Sequence, residues 1–204
     1  MKKIYLIRHG ETEWNALSKI QGHKDIPLTD KGIEQAKLTG NRLINENINA
    51  IYCSDLERAY NTAKIIGDKV SAEPNQYREF REINFGIWEG LSNDKLDLKY
   101  KNEIGLWRTE PEKIKIEGGE SLEEVQTRAI NCLNNIIKEE PGENLLIVSH
   151  GVTIKTIILG ILDMNLSYFK NFTIENAGLT IIEFRDYNKV LKVLNDTSHL
   201  KEIV

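Results

Sequence analysis

Ile4–Thr12 reads IYLIRHGET, an apolar run that ends without a spacer on an arginine, a histidine and a glycine. Apolar residues in sequence, with no alternating polar partner, are the pattern of a strand buried on both faces. Such a strand belongs to a largely parallel sheet covered by helices, and these sheets build their sites beyond the strands' carboxyl ends. Arg8, His9 and Gly10 stand at that end. The pattern returns at Asn144–Gly151, NLLIVSHG, where a strand runs into Ser149, His150 and Gly151. A shorter strand, Ala50–Cys53, leads to Ser54, with Arg58 in the helix that follows. If the three strands are parallel neighbours, two histidines and two arginines meet in one crevice. A glycine beside each histidine would let backbone approach a ligand closely.

Around these strands the apolar spacing is helical. Thr29 caps a helix with Ile33, Ala36, Leu43 and Ile44 on one broad side. Ser54 and Glu57 match a capping box ahead of a face made by Leu56, Ala59, Ala63 and Ile66. Ser121 and Glu124 match another, opening a helix through Lys138 that carries Leu122, Val125, Ala129, Leu133, Ile136 and Ile137. A mostly apolar helix runs from Val152 to about Leu162, and strands at Leu179–Phe184 and Val190–Leu194 turn through Asp186–Asn188. From Glu79 to about Gly118 periodicity weakens into a long excursion with one short helix inside 86–100, and excursions of this length are functional or mobile. The expected fold is α/β: a three-layer αβα sandwich whose mostly parallel sheet has an antiparallel edge strand. It forms one domain over residues 1–204, with an insert at about 91–117.

Composition narrows the partners. Against 27 basic residues stand 31 acidic ones, a net charge of -4, which argues against a broad nucleic-acid surface but leaves room for a local anion site. Zinc-finger spacing and basic helices are absent. Cys53 and Cys132 lie far apart with no CxxC, so a disulfide scaffold is not expected and a reducing interior is. The apolar start is too short for a signal peptide and no run approaches a membrane span. Expected, therefore, is a cytoplasmic protein with neither nucleic acid nor membrane as partner.

The charged strand ends suggest phosphate chemistry. Arg8 and Arg58 can each fork onto two oxygens of one anion, and phosphate best uses several forks without needing a metal. A neutral imidazole at His9 can attack phosphorus through one nitrogen while the other donates to a backbone carbonyl, giving a phosphohistidine. His150 can hydrogen-bond the transferring oxygens. An alkoxide leaves poorly without a proton, and REFREINFGIWEG offers Glu79, Glu82 and Glu89. Glu82 is preferred because it precedes an Ile-Asn-Phe-Gly turn that can hold it against a pocket; deprotonated, it could activate water. Other uses exist for these residues. Arg58 could be a solvated arginine pairing with Glu57 or Glu79, and two histidines with Glu82 could hold zinc, though the arginines oppose a cation. Trp14, Trp88 and Trp107 suit a substrate mouth or, for Trp88 especially, the core. Cys53 reads as a small buried residue, and His23 and His199 as surface or loop residues.

With these residues in view the chain resembles the histidine phosphatase superfamily, the phosphoglycerate mutase-like group. The resemblance is carried by LIRHGET at Leu6–Thr12, SDLERAYNTA at Ser54–Ala63, REINFGIWEG at Arg81–Gly90, GGES at Gly118–Ser121 and VSHG at Val148–Gly151. These follow the family's order across nearly the whole chain. The resemblance implies His9 as the phosphorylated nucleophile, Arg8, Arg58 and His150 as the phosphate pocket, Glu82 as proton donor, and no metal or other cofactor. It also implies Asn15 and Gln21 as further polar groups near the phosphate. NDTSHL at Asn195–Leu200 resembles the tail of the bacterial subgroup that includes alpha-ribazole phosphatases. The implied partner is a small phosphorylated metabolite, and the implied state a monomer or homodimer. Leu91–Glu117 lacks an adjacent arginine pair and mixes acids with its bases, which favours a phosphatase over a mutase. A non-catalytic module that binds phosphorylated ligands is the third reading.

Overall fold

The computed structural model describes residues 1–201. In chain order the principal elements are β1 (Lys2–Arg8), α1 (Glu13–Ala16), α2 (Asp30–Leu43), β2 (Ala50–Ser54), α3 (Glu57–Val70) and β3 (Pro74–Tyr77). There follow α4 (Asn93–Lys99), α5 (Lys101–Thr109), α6 (Leu122–Glu139), β4 (Asn144–Ser149), α7 (Gly151–Ile161), β5 (Leu179–Phe184) and β6 (Lys189–Asp196). The strands form one sheet in the order β3-β2-β4-β1-β5-β6. β1, β2, β3 and β4 run parallel, and the β5–β6 hairpin closes the far side with antiparallel pairing.

Alternation along the strands explains why both faces are apolar. Ile4 and Leu6 of β1, with Leu145 and Ile147 of β4, pack on α6 and α7 through Ala129, Leu133, Ile136, Ile154 and Ile157. Tyr5, Ile7, Leu146 and Val148 turn the other way onto Leu43, Ala59, Ala63 and Ile66 of α2 and α3. β4 lies between β1 and β2, with Arg8 opposite Ser149 and Cys53 opposite Val148. The three loaded strand ends are thus adjacent, as the parallel arrangement requires.

Several local expectations are corrected. Leu56, not Ser54, is the cap position of α3; Ser54 Oγ instead accepts from Leu56 N–H at 3.2 Å, and Glu57 N–H donates to Asp25 at 2.7 Å. Ile44 is exposed, because α2 turns into a 3-10 segment at Ile44–Glu46 and carries it off the core face. β3 and α5 were not expected: β3 is a four-residue polar edge, PNQY, and α5 has only Ile104 fully buried. Nor is the excursion loose. Ile83, Phe85, Trp88, Leu96, Ile104, Ile114 and Ile116 form an apolar cluster with Leu122, Val125, Val152, Leu159 and Phe169. The box at Ser121 is present, with Ser121 Oγ accepting from Glu124 N–H and Glu124 accepting from Ser121 N–H.

Candidate active site

At the carboxyl ends of β1 and β4 lies a cavity of about 400 Å³, open to solvent on one side. Arg8, His9, Asn15, Gln21, Arg58 and Glu82 line it, with Gly151 at its edge. His150 lies directly behind, its ring centroid 5.2 Å from that of His9. The residues singled out from the sequence are therefore together, although His23 and His199 are not part of the lining.

His9 is 3% exposed and its Nδ1 lies 2.7 Å from the carbonyl oxygen of Gly10. A carbonyl only accepts, so Nδ1 carries the proton and Nε2 keeps its lone pair. Arg58 Nε donates to that lone pair at 3.3 Å. Burial first, then the charges of Arg58 and Arg8, hold His9 well below the usual histidine range. His150 is fully buried, and burial with the Arg58 charge depresses it in the same way. Neither of its ring nitrogens has a hydrogen-bond partner, although buried polar groups ordinarily do.

Arg58 is 1% exposed, so it is no solvated helix arginine. Its Nη1 and Nη2 donate to the carbonyls of Lys24 and Gly22, both at 2.8 Å, which aims Nε at His9. Burial pushes its guanidinium down to about 10, still cationic at neutral pH. Gly22 has φ +54°, and a side chain there would collide with the Glu89 carboxylate, which accepts from His23 N–H at 2.8 Å. Glu89 therefore braces the Gln21–His23 loop. Arg8 Nη1 donates to the carbonyl of Ile174 at 2.7 Å, leaving Nε unpartnered; Gln21 Oε1 is likewise unpartnered. Asn15 Oδ1 is occupied by Thr12 and by Asn176 Nδ2 at 3.2 Å. Gly10 does not serve ligand approach: a Cβ there would lie 2.3 Å from the Gly32 carbonyl oxygen, so its smallness admits α2.

Of the three glutamates, only Glu82 lines the cavity. Its carboxylate accepts from Ile83 N–H at 3.0 Å and, at the start of α7, from Thr153 N–H at 3.2 Å and Val152 N–H at 3.3 Å. Glu79 is exposed on another face beside Arg128 and Cys132. The segment bearing Glu82 is held by its backbone. Arg128 of α6 donates to the carbonyls of Glu79 at 2.6 Å, Arg81 at 2.9 Å and Glu82 at 3.0 Å, while binding Glu120 through Nε and Nη2. Ser149 Oγ takes the carbonyl of Phe80, and His23 Nε2 donates to that of Glu82 at 2.9 Å. Arg81 adds a two-pronged ion pair with Asp55 at the end of β2, at 2.7 and 2.6 Å. The role of Arg128 was missed because a lone helix arginine gives no sign of the carbonyls it will meet.

Also missed were the residues of the outer wall: Lys19, Ile20, Phe85, Lys155, Phe169 and Glu175. Trp107 does line the mouth, edge-on to Phe85 and Phe169, whereas Trp88 is core. Trp14 lies outside the lining, beneath Lys19. Cys53 is buried, which pushes its thiol up to about 12 and leaves it a packing residue.

Two histidines and two arginines, gathered from the ends of adjacent parallel strands and the start of α3, make a site suited to a phosphate anion. The whole fold agrees: residues 4–197 match the histidine phosphatase superfamily (branch 1), and the chain belongs to that family. It is 34% identical to phosphoserine phosphatase 1 of Hydrogenobacter thermophilus, over 99% of this chain and 96% of that protein. It is 32% identical to the "Probable phosphoglycerate mutase GpmB" of Yersinia pestis, over 98% and 95% of the two chains. Among solved structures, a mutant phosphoserine phosphatase from Entamoeba histolytica in complex with phosphoserine superposes with a TM-score of 0.84. It is 37% identical, and the match covers 98% of this chain and 100% of that one. The chain is a phosphomonoesterase of this family. Among the described residues, no helix is long and apolar enough to cross a membrane.

Proposed function

We propose that this chain hydrolyses small phosphate monoesters in two steps through a phosphohistidine on His9, and that phosphoserine, the ligand of its relatives, is among its substrates. The observation that carries the reading is the Nδ1 bond to the Gly10 carbonyl, which commits the Nε2 lone pair to the cavity. In the first step Nε2 bonds to phosphorus, the ester P–O bond breaks, and Glu82 gives its proton to the departing oxygen. Arg8, Arg58, His150, Gln21 and Asn15 hold the phosphoryl oxygens, with Arg58 Nε passing from the lone pair to an oxygen. In the second step water attacks phosphorus, the N–P bond breaks, Glu82 takes the water's proton, and inorganic phosphate leaves.

Two arginines and the neutral donors of His150, Gln21 and Asn15 meet the phosphate's charge, so the chemistry requires no metal or other cofactor. We take residues 1–204 as one domain whose 91–117 insert supplies part of the cavity wall through Trp107. Two buried, free cysteines suit a reducing cytoplasm.

The test is trapping. Wild type quenched in alkaline detergent should carry alkali-stable, acid-labile label from a phosphate-labelled substrate, and treatment with EDTA should leave both label and turnover intact. His9→Ala should carry none while keeping its fold by circular dichroism. Label on His9→Ala but not on His150→Ala would overturn the assignment. Exchange of label between 3-phosphoglycerate and 2,3-bisphosphoglycerate in excess of phosphate release would make the chain a mutase.

A further inference from the structure

Lys155 stands on α7 one turn beyond Gly151 and Val152, and all three line the cavity. Helical side chains tilt toward the helix N-terminus, so its stem runs back toward His150 and the reacting end. The ammonium lies 3.7 Å from the centroid of the Phe169 ring and 5.4 Å from that of Phe172. Aromatic faces hold a cation in place without neutralising it. The carboxylate whose charge reaches it is Glu82, and that carboxylate is already engaged by the N–H groups of Ile83, Val152 and Thr153. Burial pushes the Lys155 ammonium down to about 8, the signature of a cation drawn out of water.

The phosphoryl group has its own cations in Arg8 and Arg58 on the floor. Lys155 instead shares the outer wall with Phe85, Trp107 and Phe169, the side toward which the alcohol half of an ester would extend if its phosphoryl group sat on the floor. A partly desolvated cation held against aromatic rings, on a wall that also carries Lys19 and Glu175, is a recognition element for an anion that the reaction does not consume. We propose that Lys155 binds a carboxylate on the alcohol portion of the substrate, so that the preferred substrates are phosphate esters of hydroxy acids, amino acids included. This rests on the phosphatase reading above and adds to it the residue that sets specificity.

The experiment compares O-phosphoserine with O-phosphoethanolamine, which lacks only the carboxylate, with p-nitrophenyl phosphate as a third substrate. Wild type should prefer phosphoserine, and Lys155→Met should lower the phosphoserine-to-phosphoethanolamine ratio of kcat/KM by about 10–100-fold, the size of one charge-assisted hydrogen bond. Lys155→Arg should restore part of the ratio. Should Lys155→Met fail to fold, wild type alone still decides through competition: 3-phosphoglycerate should inhibit nitrophenyl turnover more tightly than glycerol 3-phosphate. A ratio unchanged in Lys155→Met overturns the assignment, as does the same collapse in Lys19→Met with none in Lys155→Met, or equal inhibition by the two glycerol-type esters. If wild type hydrolyses none of the three esters, the phosphatase reading falls and this assignment with it; hydrolysis without selectivity removes this assignment alone.

Discussion

Acid should destabilise this protein through two residues of its own site. His9 and His150 are buried beside Arg58 and Arg8, and both are held well below the usual histidine range. In the unfolded chain an imidazole titrates near 6.5, as in model peptides. Below that pH the unfolded chain binds protons that the folded chain refuses, so stability is complete above about 6.5 and lost as pH falls toward the folded values. Between pH 7.5 and 5.5 each such histidine costs on the order of 1 kcal/mol, so the pair takes a sizeable share of the usual 5–15 kcal/mol. The measurement is urea unfolding at pH 7.5, 6.5 and 5.5 for wild type and for the double variant His9→Asn, His150→Asn. Asparagine does not titrate, so cavity and packing effects of the substitutions are constant with pH. Carboxylates and the partly buried His199 cancel in the difference. Subtracting the variant's pH dependence from that of wild type should leave a loss of stability toward acid of a few kcal/mol at most and clearly above zero. A difference flat to within a few tenths would mean that these histidines take up protons in the folded protein as readily as in the unfolded chain, and a difference of opposite sign that they are already protonated in the folded protein. Either result would refute a buried His9 that keeps its lone pair free beside Arg58 and Arg8.

Two further outcomes probe the acid. Glu82→Gln should slow the first-turnover phosphorylation step for an alkyl ester by roughly 10²–10⁴-fold, the usual worth of a positioned proton donor, and much less for p-nitrophenyl phosphate, whose leaving group departs unaided. Rapid-quench kinetics on the first turnover separates that step from hydrolysis of the phosphohistidine, which both esters share; equal slowing of both would exclude Glu82 as the donor. Arg128→Met removes the clamp on the Glu79, Arg81 and Glu82 carbonyls without touching substrate. It should reproduce the alkyl-selective loss at about 10-fold, with partial rescue by Arg128→Lys; a loss shared equally by both esters would make Arg128 a stabilising residue only.

The floor of the site was legible because it lies where chain geometry is simplest. A strand buried on both faces shows as unbroken apolar sequence, and Arg8, His9, Ser149 and His150 are the first polar residues past such runs. Arg58 is the second residue of a helix whose face was readable from Ala59, Ala63 and Ile66. Glu82 was a choice among three carboxylates, and its place in the cavity depends on contacts far along the chain, from Arg128, Ser149 and Thr153. No local spacing records those. Ser54 shows the opposite error, a sound local motif that lost to tertiary packing when Asp25 took the N–H of Glu57.

The wall resisted reading for a related reason. α4 and α5 have one fully buried apolar residue each, Leu96 and Ile104, so neither helix carries a stripe that periodicity could find. They are held because Trp107 of α5 packs on Phe85 and Trp88, in a cluster that also takes Leu96, Ile104, and Val152 and Leu159 of α7 from distant segments. The residues of the proposed chemistry therefore sit at strand ends, and the wall proposed to set selectivity is a layer with separate packing. Phe85 and Trp107 belong to that layer, while His9 is fixed by Gly10, Arg58 and the backbone of Ser149. Substitutions in the wall can change which alcohol is accepted without moving the nucleophile. That division fits a family whose members are named for different phosphate esters. It also places Lys155 at the junction, since α7 begins at the floor with Gly151 and reaches the wall one turn later.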